Sequence, residues 1–404
     1  MKLWKRNLIV CWFGSFVTMI ALSQIAPILP IYIKQFGIND TAFIEQISGA
    51  AFGVTFVVSA IFSPIWGHVA DRVGRKPMIL RASLGMAIVV FGMGFARNVY
   101  ELVGLRLIQG IISGYCSACT TLVATQTEKE HAGWALGVLS TAALSGSLLG
   151  PMIGGYVEEV FGIRNVFFIM SILLLIAFIT ALLFVKEDFV PSHEKDLNIK
   201  EIWHLIPRTD LMVTMFVTSF IMQLACYSVE PIITVYISQL SKSSEHIALI
   251  AGITFSASGL ASILAAPKIG KVSDEIGPEK IMFISLLSAG IVFIPQAFVK
   301  NPQQLTILRF ILGLATAGLV PSVNTLVKKI TPDSLTGRVF GFNMSAMYLG
   351  TFSGSIFGAQ IAAHFGIKYV FFTTSLLLFA NAIWVYEMAY RKLNSKLHKF
   401  STAH

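Results

Sequence analysis

Long apolar runs, separated by short charged or Gly/Pro-rich punctuation, set the pattern of this chain. The first charge-free run, residues 7–33, covers 27 positions. That exceeds the roughly 18 residues needed to cross hydrocarbon and is too long for the ~7–15-residue apolar core of a secretory signal. It predicts a retained first span, although Lys2, Lys5 and Arg6 ahead of it would also suit a signal's basic start. Further runs predict spans over residues 46–66, 78–96, 99–125, 134–160, 165–185, 210–240, 246–267, 281–299, 304–327, 337–363 and 368–389. The fold expected is an all-α membrane protein of twelve transmembrane helices in two six-helix halves. Residues 1–185 form the first half and 210–404 the second, which ends in a basic tail. Between them, 186–209 is a polar segment that reads as a solvated cytoplasmic linker with some helical character.

The pattern repeats. Pro64-x-x-Gly67-x-x-x-Asp71-x-x-Gly74 after the second span recurs 203 residues later as Pro267-x-x-Gly270-x-x-x-Asp274-x-x-Gly277 after the eighth. Arg106 and Gly110 recur at the same offset as Arg309 and Gly313, and Pro27 and Tyr32 at 204 as Pro231 and Tyr236. A constant offset over several elements predicts duplicated, pseudo-symmetric halves related by an axis along the membrane normal.

Composition agrees with lipid as the main solvent. The chain is 55% hydrophobic and only 13% charged, and its mean hydropathy is +0.74. The net charge of +9 is not a nucleic-acid footprint, because the cations cluster in loops. With the N-terminus inside, alternate loops hold 22 Lys and Arg on the cytoplasmic side against six outside: Lys34, Arg97, Arg164, Lys242, Lys300 and Lys368. Basic residues are retained in the cytoplasm, so both termini are expected there. Cys11, Cys116, Cys119 and Cys226 all lie in apolar runs. Cys116-x-x-Cys119 has no second pair or nearby His, so packing is the expected role and no metal or cofactor is implied.

Three segments carry chemistry. Gly67-His68-Val69-Ala70-Asp71-Arg72-Val73-Gly74-Arg75-Lys76 combines tight-turn glycines with an acid followed by cations. Gly146-x-x-x-Gly150-Pro151-x-x-Gly154-Gly155 places small residues and a bend in the fifth span. Arg106-x-x-Gln109-Gly110 puts a cation inside hydrocarbon, where it must face a cavity or partner, snorkel outward, or bind backbone carbonyls. Together these segments resemble the major facilitator superfamily, and the fifth-span segment resembles the signature of its drug:proton antiporter branch.

The resemblance implies a latch in which Asp71, with Gly67, Arg72, Gly74 and Arg75, holds the start of the eleventh helix near Thr336 and Gly337, and Asp274 is the repeat counterpart. It also implies that Gly146, Gly150, Pro151, Gly154 and Gly155 help to seal the pathway on one side, and that Arg106 takes part in proton transfer. A merely topogenic basic loop would explain the cations but not Asp71 or the glycine spacing. Generic small-residue packing would explain G-x-x-x-G but not the added proline and paired glycine.

The intramembrane carboxylate is Glu230, followed by Pro231. A lone carboxylate in hydrocarbon can exchange a proton and attract a cation, the two requirements of an antiporter. At the outer mouth it would be a solvated loop residue instead. The partner acid found on the tenth helix of some relatives is absent between Leu305 and Val327. Gln24, Gln109, Gln223, Tyr227, Asn324, Asn343 and Tyr348 lie on helices that line the cavity in the resembled family, where each is a substrate-contact candidate or a packing residue.

No nucleotide-binding or metalloprotease motif and no long soluble segment is present, so neither an ATP-driven pump nor an enzyme is expected. The reading is a monomeric, proton-driven exporter of small amphipathic or cationic compounds in the bacterial inner membrane. Its partners are substrate, protons and lipid, and not nucleic acid. A dedicated exporter of one endogenous metabolite such as a siderophore is the alternative.

Overall fold

The computed structural model describes residues 2–189, 203, 205–241, 246–331 and 336–391. Linker positions 190–202 and 204, the loop carrying Lys242, and the tail 392–404 lie outside the described residues. So do the side chains of Pro64, Asp71, Pro267, Gly270, Asp274, Thr336 and Gly337.

Among the described residues there are twelve long helices. They are α1 (Leu3–Ser23 and Ile25–Gln35), α2 (Thr41–Val73), α3 (Arg75–Met93), α4 (Val99–Ile112 and Tyr115–Gln126), α5 (Lys129–Phe161) and α6 (Ile163–Phe184). The series continues with α7 (Thr209–Val229, a 3-10 turn Glu230–Ile232, and Ile233–Leu240), α8 (Ile247–Ile276), α9 (Pro278–Gln296), α10 (Pro302–Thr316 and Leu319–Ile330), α11 (Thr336–Phe365) and α12 (Ile367–Val385). Eleven are long and apolar enough to cross a membrane on their own. The exception is α11, which gives up hydropathy for close packing. A Cβ at its Gly350, Gly354 or Gly358 would lie 2.3, 2.4 or 1.7 Å from the carbonyl oxygens of Phe220, Leu224 and Ser228 on α7. Small residues are how helices approach each other in lipid, where water drives no association. Large apolar side chains such as Ile88, Leu183, Ile291 and Leu376 point outward instead, as a lipid solvent requires.

The duplication extends to individual hydrogen bonds. Asn98 caps α4 by accepting from Glu101 N at 2.9 Å, and Asn301, 203 residues on, caps α10 by accepting from Gln304 N at 2.9 Å. Ser59 donates to the carbonyl of Gly110 at 3.3 Å, and Ser262 to that of Gly313 at 2.9 Å. Ser171 donates to Ala87 O and Ser375 to Gly290 O, both at 2.7 Å. Gly74 and Gly277, which end α2 and α8, have φ of +96° and +97°, a region open to glycine at little steric cost.

The breaks repeat as well. They fall in α1, α4, α7 and α10, at Gln24, Ser113–Gly114, Glu230–Ile232 and Ala317–Gly318. Discontinuous helices of this kind frame the substrate sites of carriers built from repeats.

Two compact units result: Met1–Glu194 with Glu230–Ser256, and Lys195–Val229 with Ala257–His404. The contact boundary therefore cuts α7 and α8, because their ends nearest the 240–247 connection pack on first-half helices. Thr234 Oγ1 donates to Pro27 O at 2.8 Å, and Ser256 Oγ to Leu148 O.

The start of the linker is pinned rather than free. Asn7 holds the backbone of Lys186 through both its amide atoms, at 2.7 and 3.1 Å, and Gln126 does the same for Asp188 at 3.1 and 3.3 Å. Glu187 accepts from the backbone nitrogens of Arg75 and Lys76 at 2.8 and 2.7 Å, capping α3 with a negative charge at its positive end. Glu187→Ala is expected to cost about 1 kcal/mol, the scale of a lost N-cap. The thermal unfolding midpoint in detergent would fall, and Glu187→Gln would recover part of the loss.

Candidate functional site

The glycine-rich stretch of α5 lies between two neighbours in the first compact unit. On one side is α1. A Cβ at Gly146 would lie 2.6 Å from Phe16 O, one at Gly150 2.1 Å from Ser23 Oγ and 2.9 Å from Ile20 O, and one at Gly154 2.6 Å from Gln24 Cβ. These three positions are 204 residues before Gly350, Gly354 and Gly358, and their contacts on α1 correspond to those on α7. They make the contact common to both halves.

Pro151 and Gly155 have Ser355 and Ala359 as counterparts, so the second half repeats neither. Both face the start of α8. A Cβ at Gly155 would lie 2.4 Å from Ala248 O, and one at Gly252 would lie 2.3 Å from Pro151 O. The part of the segment peculiar to the first half is thus a backbone-to-backbone contact between α5 and α8.

Arg106 is 1% exposed and is held inside the protein. Its Nε donates to Ala51 O at 3.0 Å and its Nη2 to Phe52 O at 3.2 Å, both on α2, while Nη1 donates to Gln109 Oε1. Thr55 of α2 returns a bond to the carbonyl of Arg106 at 2.8 Å. Of the roles open from sequence, binding backbone carbonyls is the one observed, and Arg106 clamps α2 to α4. Gln109 is equally buried. Arg309, near the start of α10, is 5% exposed and its guanidinium lies 6.0 Å from the Phe293 ring, so it too is held inside the protein.

A third arginine within an apolar span, Arg81, is not singled out by the sequence motifs. Arg81 of α3 stacks on Trp66 at 3.6 Å and donates to the carbonyls of Ile112 and Ser113 at 3.2 and 2.8 Å. It thereby caps the broken end of the first segment of α4 with a cation, where the helix dipole is negative. The available signal was a lone arginine inside the apolar run 78–96.

Glu230 is half-buried in the 3-10 turn that interrupts α7, and the turn packs on α1 and α2. A deeper carboxylate, Glu45, is 3% exposed in the first turns of α2. The apolar run that begins at residue 46 leaves it in the flank of that span.

Gln24, at the break in α1, is 1% exposed, with neither amide atom hydrogen-bonded among the described residues. Asn343 accepts from Ser219 at 2.7 Å across the α7–α11 contact, where Gln223 sits beside Gly350. Tyr227, Asn324 and Tyr348 are partly exposed. The two compact units therefore each hold some of the cavity candidates, Gln24 and Gln109 in the first and the other five in the second.

In the loop after α2, Gly67 borders open space, Arg72 is exposed, and Arg75 supplies a backbone N–H to Glu187. The acids of the latch, Asp71 and Asp274, carry side chains outside the described residues.

A sequence model of the Major Facilitator Superfamily matches residues 11–248 and again 215–402. This chain belongs to the major facilitator superfamily. Within it, the chain is 41% identical over 390 residues to the multidrug resistance protein MdtG of Salmonella schwarzengrund and to that of Salmonella typhimurium, covering 96% of both chains in each case. The likeness that the fifth span carries to the drug:proton antiporter branch is thus joined by a likeness to this exporter group over nearly the whole length.

Solved superfamily structures share the fold at low identity. The nucleoside transporter NupG superposes with a TM-score of 0.76 at 16% identity, covering 96% of this chain and 99% of that one. The peptide transporter POT gives 0.78 at 14%, covering 96% and 94%. The human organic anion transporter MFSD10 gives 0.70 at 17%, covering 95% and 100%.

Proposed function

We propose that this chain is a proton-driven multidrug exporter of the bacterial inner membrane, moving small amphipathic or cationic compounds by alternating access. It works as a monomer, with both termini cytoplasmic. The observation that carries the reading is the α5–α8 contact. Pro151 and Gly155 depart from the duplicated pattern only where the α5 signature of antiporters would require it, and the contact is close enough for each backbone to exclude a side chain on the other. The name of the relatives at 41% identity supports the substrate class. The excess of basic residues on alternate loops supports the orientation.

Coupling belongs to the intramembrane carboxylates. Glu230 sits where a broken helix frees backbone groups, and Glu45 is the deeper of the two. Each can trade a proton for a cation as its access to water changes. Arg106 acts by holding α2 against α4, so that these acids keep their place, rather than by carrying protons itself.

The reading is tested in proteoliposomes under an imposed proton gradient. Uptake of several unrelated dyes, each collapsed by a protonophore, is the expected result. Movement of one native metabolite alone would favour the dedicated exporter, and no gradient-driven flux would overturn export. In the same assay Glu230→Gln is expected to reduce gradient-driven flux about tenfold or more while leaving downhill exchange measurable, as removal of a proton carrier requires.

A further inference from the structure

A cleft of about 340 Å³ opens in the first compact unit, beside the α5–α8 contact, whose Ala248 lines it. It lies where the end of α1, the start of α2, the end of α5 and the residues around the α7–α8 connection come together. Its size is at the lower end of the ~300–1,000 Å³ typical of small-molecule sites. Ile31, Ile44 and Val235 give it an apolar wall. Its ionisable groups are Glu158, Glu159, Lys34 and His246.

These charges are not evenly paired. Glu159 is taken by His246, whose Nδ1 lies 2.5 Å from its Oε1. His246 is also the one described non-glycine residue with positive φ, at +61°, and opens α8 by accepting from Ile250 N at 2.9 Å. Lys34 is exposed at the last turn of α1, where the helix dipole favours a cation, and forms no ion pair with either glutamate among the described residues. Glu158 is half-buried, and its carboxylate has no hydrogen-bond or ion-pair partner among the described residues. It also sits in the last turn of α5, whose carbonyls present the negative end of the dipole, an unfavourable place for an acid unless a cation comes to it. Asp40, which caps α2 between the lining residues Asn39 and Thr41, adds another negative charge nearby.

We propose that this cleft is a binding site for an amphipathic organic cation, with Glu158 as the counter-charge and the Ile31–Ile44–Val235 wall taking the apolar body. Its lining does not include the break residues themselves, although Thr234 and Val235 follow the break Glu230–Ile232 closely. The proposal deepens the export reading and rests on it for the substrate class, since a released cationic drug would meet this cleft at the ends of the helices opposite the chain's N-terminus.

The test uses tetraphenylphosphonium and tetraphenylborate, two ions of nearly the same shape and opposite charge. In the full chain, Ser238→Cys places a thiol on the exposed lining of the cleft. Its rate of labelling by a methanethiosulfonate reagent is read by mass at position 238. Tetraphenylphosphonium is expected to slow that labelling roughly fivefold, the scale of one partly exposed charge pair, and tetraphenylborate to leave it unchanged. Glu158→Gln should abolish the protection, and Glu158→Asp, which keeps the carboxylate, should retain it. Equal protection by both ions, unchanged protection in Glu158→Gln, or loss in Glu158→Asp as well would each overturn the proposal. Protection without transport of tetraphenylphosphonium in proteoliposomes would keep the cleft and remove the export reading; transport without protection would do the reverse.

Discussion

Gly155→Val is expected to remove efflux almost entirely while leaving the protein folded in the membrane. The new Cβ would sit 2.4 Å from the carbonyl oxygen of Ala248 and 3.0 Å from Leu249 Cα, both backbone atoms that cannot rotate away. Either α5 and α8 separate or the bundle strains. Overpacking of this kind costs about 1–3 kcal/mol, which corresponds to a loss of roughly fivefold to more than a hundredfold in the conformer that needs the contact. Gly354→Val makes the comparison. It presses on Leu224 O at the same 2.4 Å, but in the contact that both halves share, so its effect should fall on folding and yield. Gly137→Ala, with open space around it, should be silent in both assays. Drug efflux from cells, set against the amount of protein in the membrane, separates the three.

The second large effect is at Arg106. Removing its guanidinium strips charged donors from Ala51 O, Phe52 O and Gln109 Oε1 inside a dry interface. Breaking a buried charged network costs roughly 3–5 kcal/mol. Arg106→Ala is therefore expected to lower the thermal midpoint steeply and to abolish transport with it. Arg106→Lys should rescue little, since one ammonium cannot reproduce a planar fork that reaches three acceptors. Survival of full stability in Arg106→Lys, measured by thermal unfolding in detergent, would mean that charge alone matters there and that the clamp does not.

How far the sequence anticipates these features depends on how local their causes are. The twelve helices and the repeat follow from hydropathy and spacing, and the offset of 203–204 carries through to the asparagine caps at Asn98 and Asn301. The glycines of α11 were equally open to that arithmetic. Gly350, Gly354 and Gly358 stand 204 residues after Gly146, Gly150 and Gly154, a match hidden because no proline or paired glycine accompanies it. It divides the α5 segment into a shared packing stripe and the specific pair Pro151–Gly155.

The helix breaks were not legible. The polar Gln24 and the following Pro27 stand at the α1 break without fixing it, and the break at Ser113–Gly114 is held by tertiary bonds from Arg81. Glu187 looked like a solvated linker acid because its role depends on α3, more than a hundred residues away. Glu45 was lost to a boundary placed one residue too late, an error that hydropathy invites wherever a buried charge stands at the end of a span.

Exchange of drug for protons is the centre of this account. Proteoliposomes are loaded with ethidium and a lumenal pH dye, then diluted into ethidium-free buffer at equal pH. The account predicts that outward movement of ethidium draws protons inward, so the lumen acidifies in step with efflux, and that Glu230→Gln uncouples the two. Efflux of ethidium with no change in lumenal pH in the unaltered protein would contradict it.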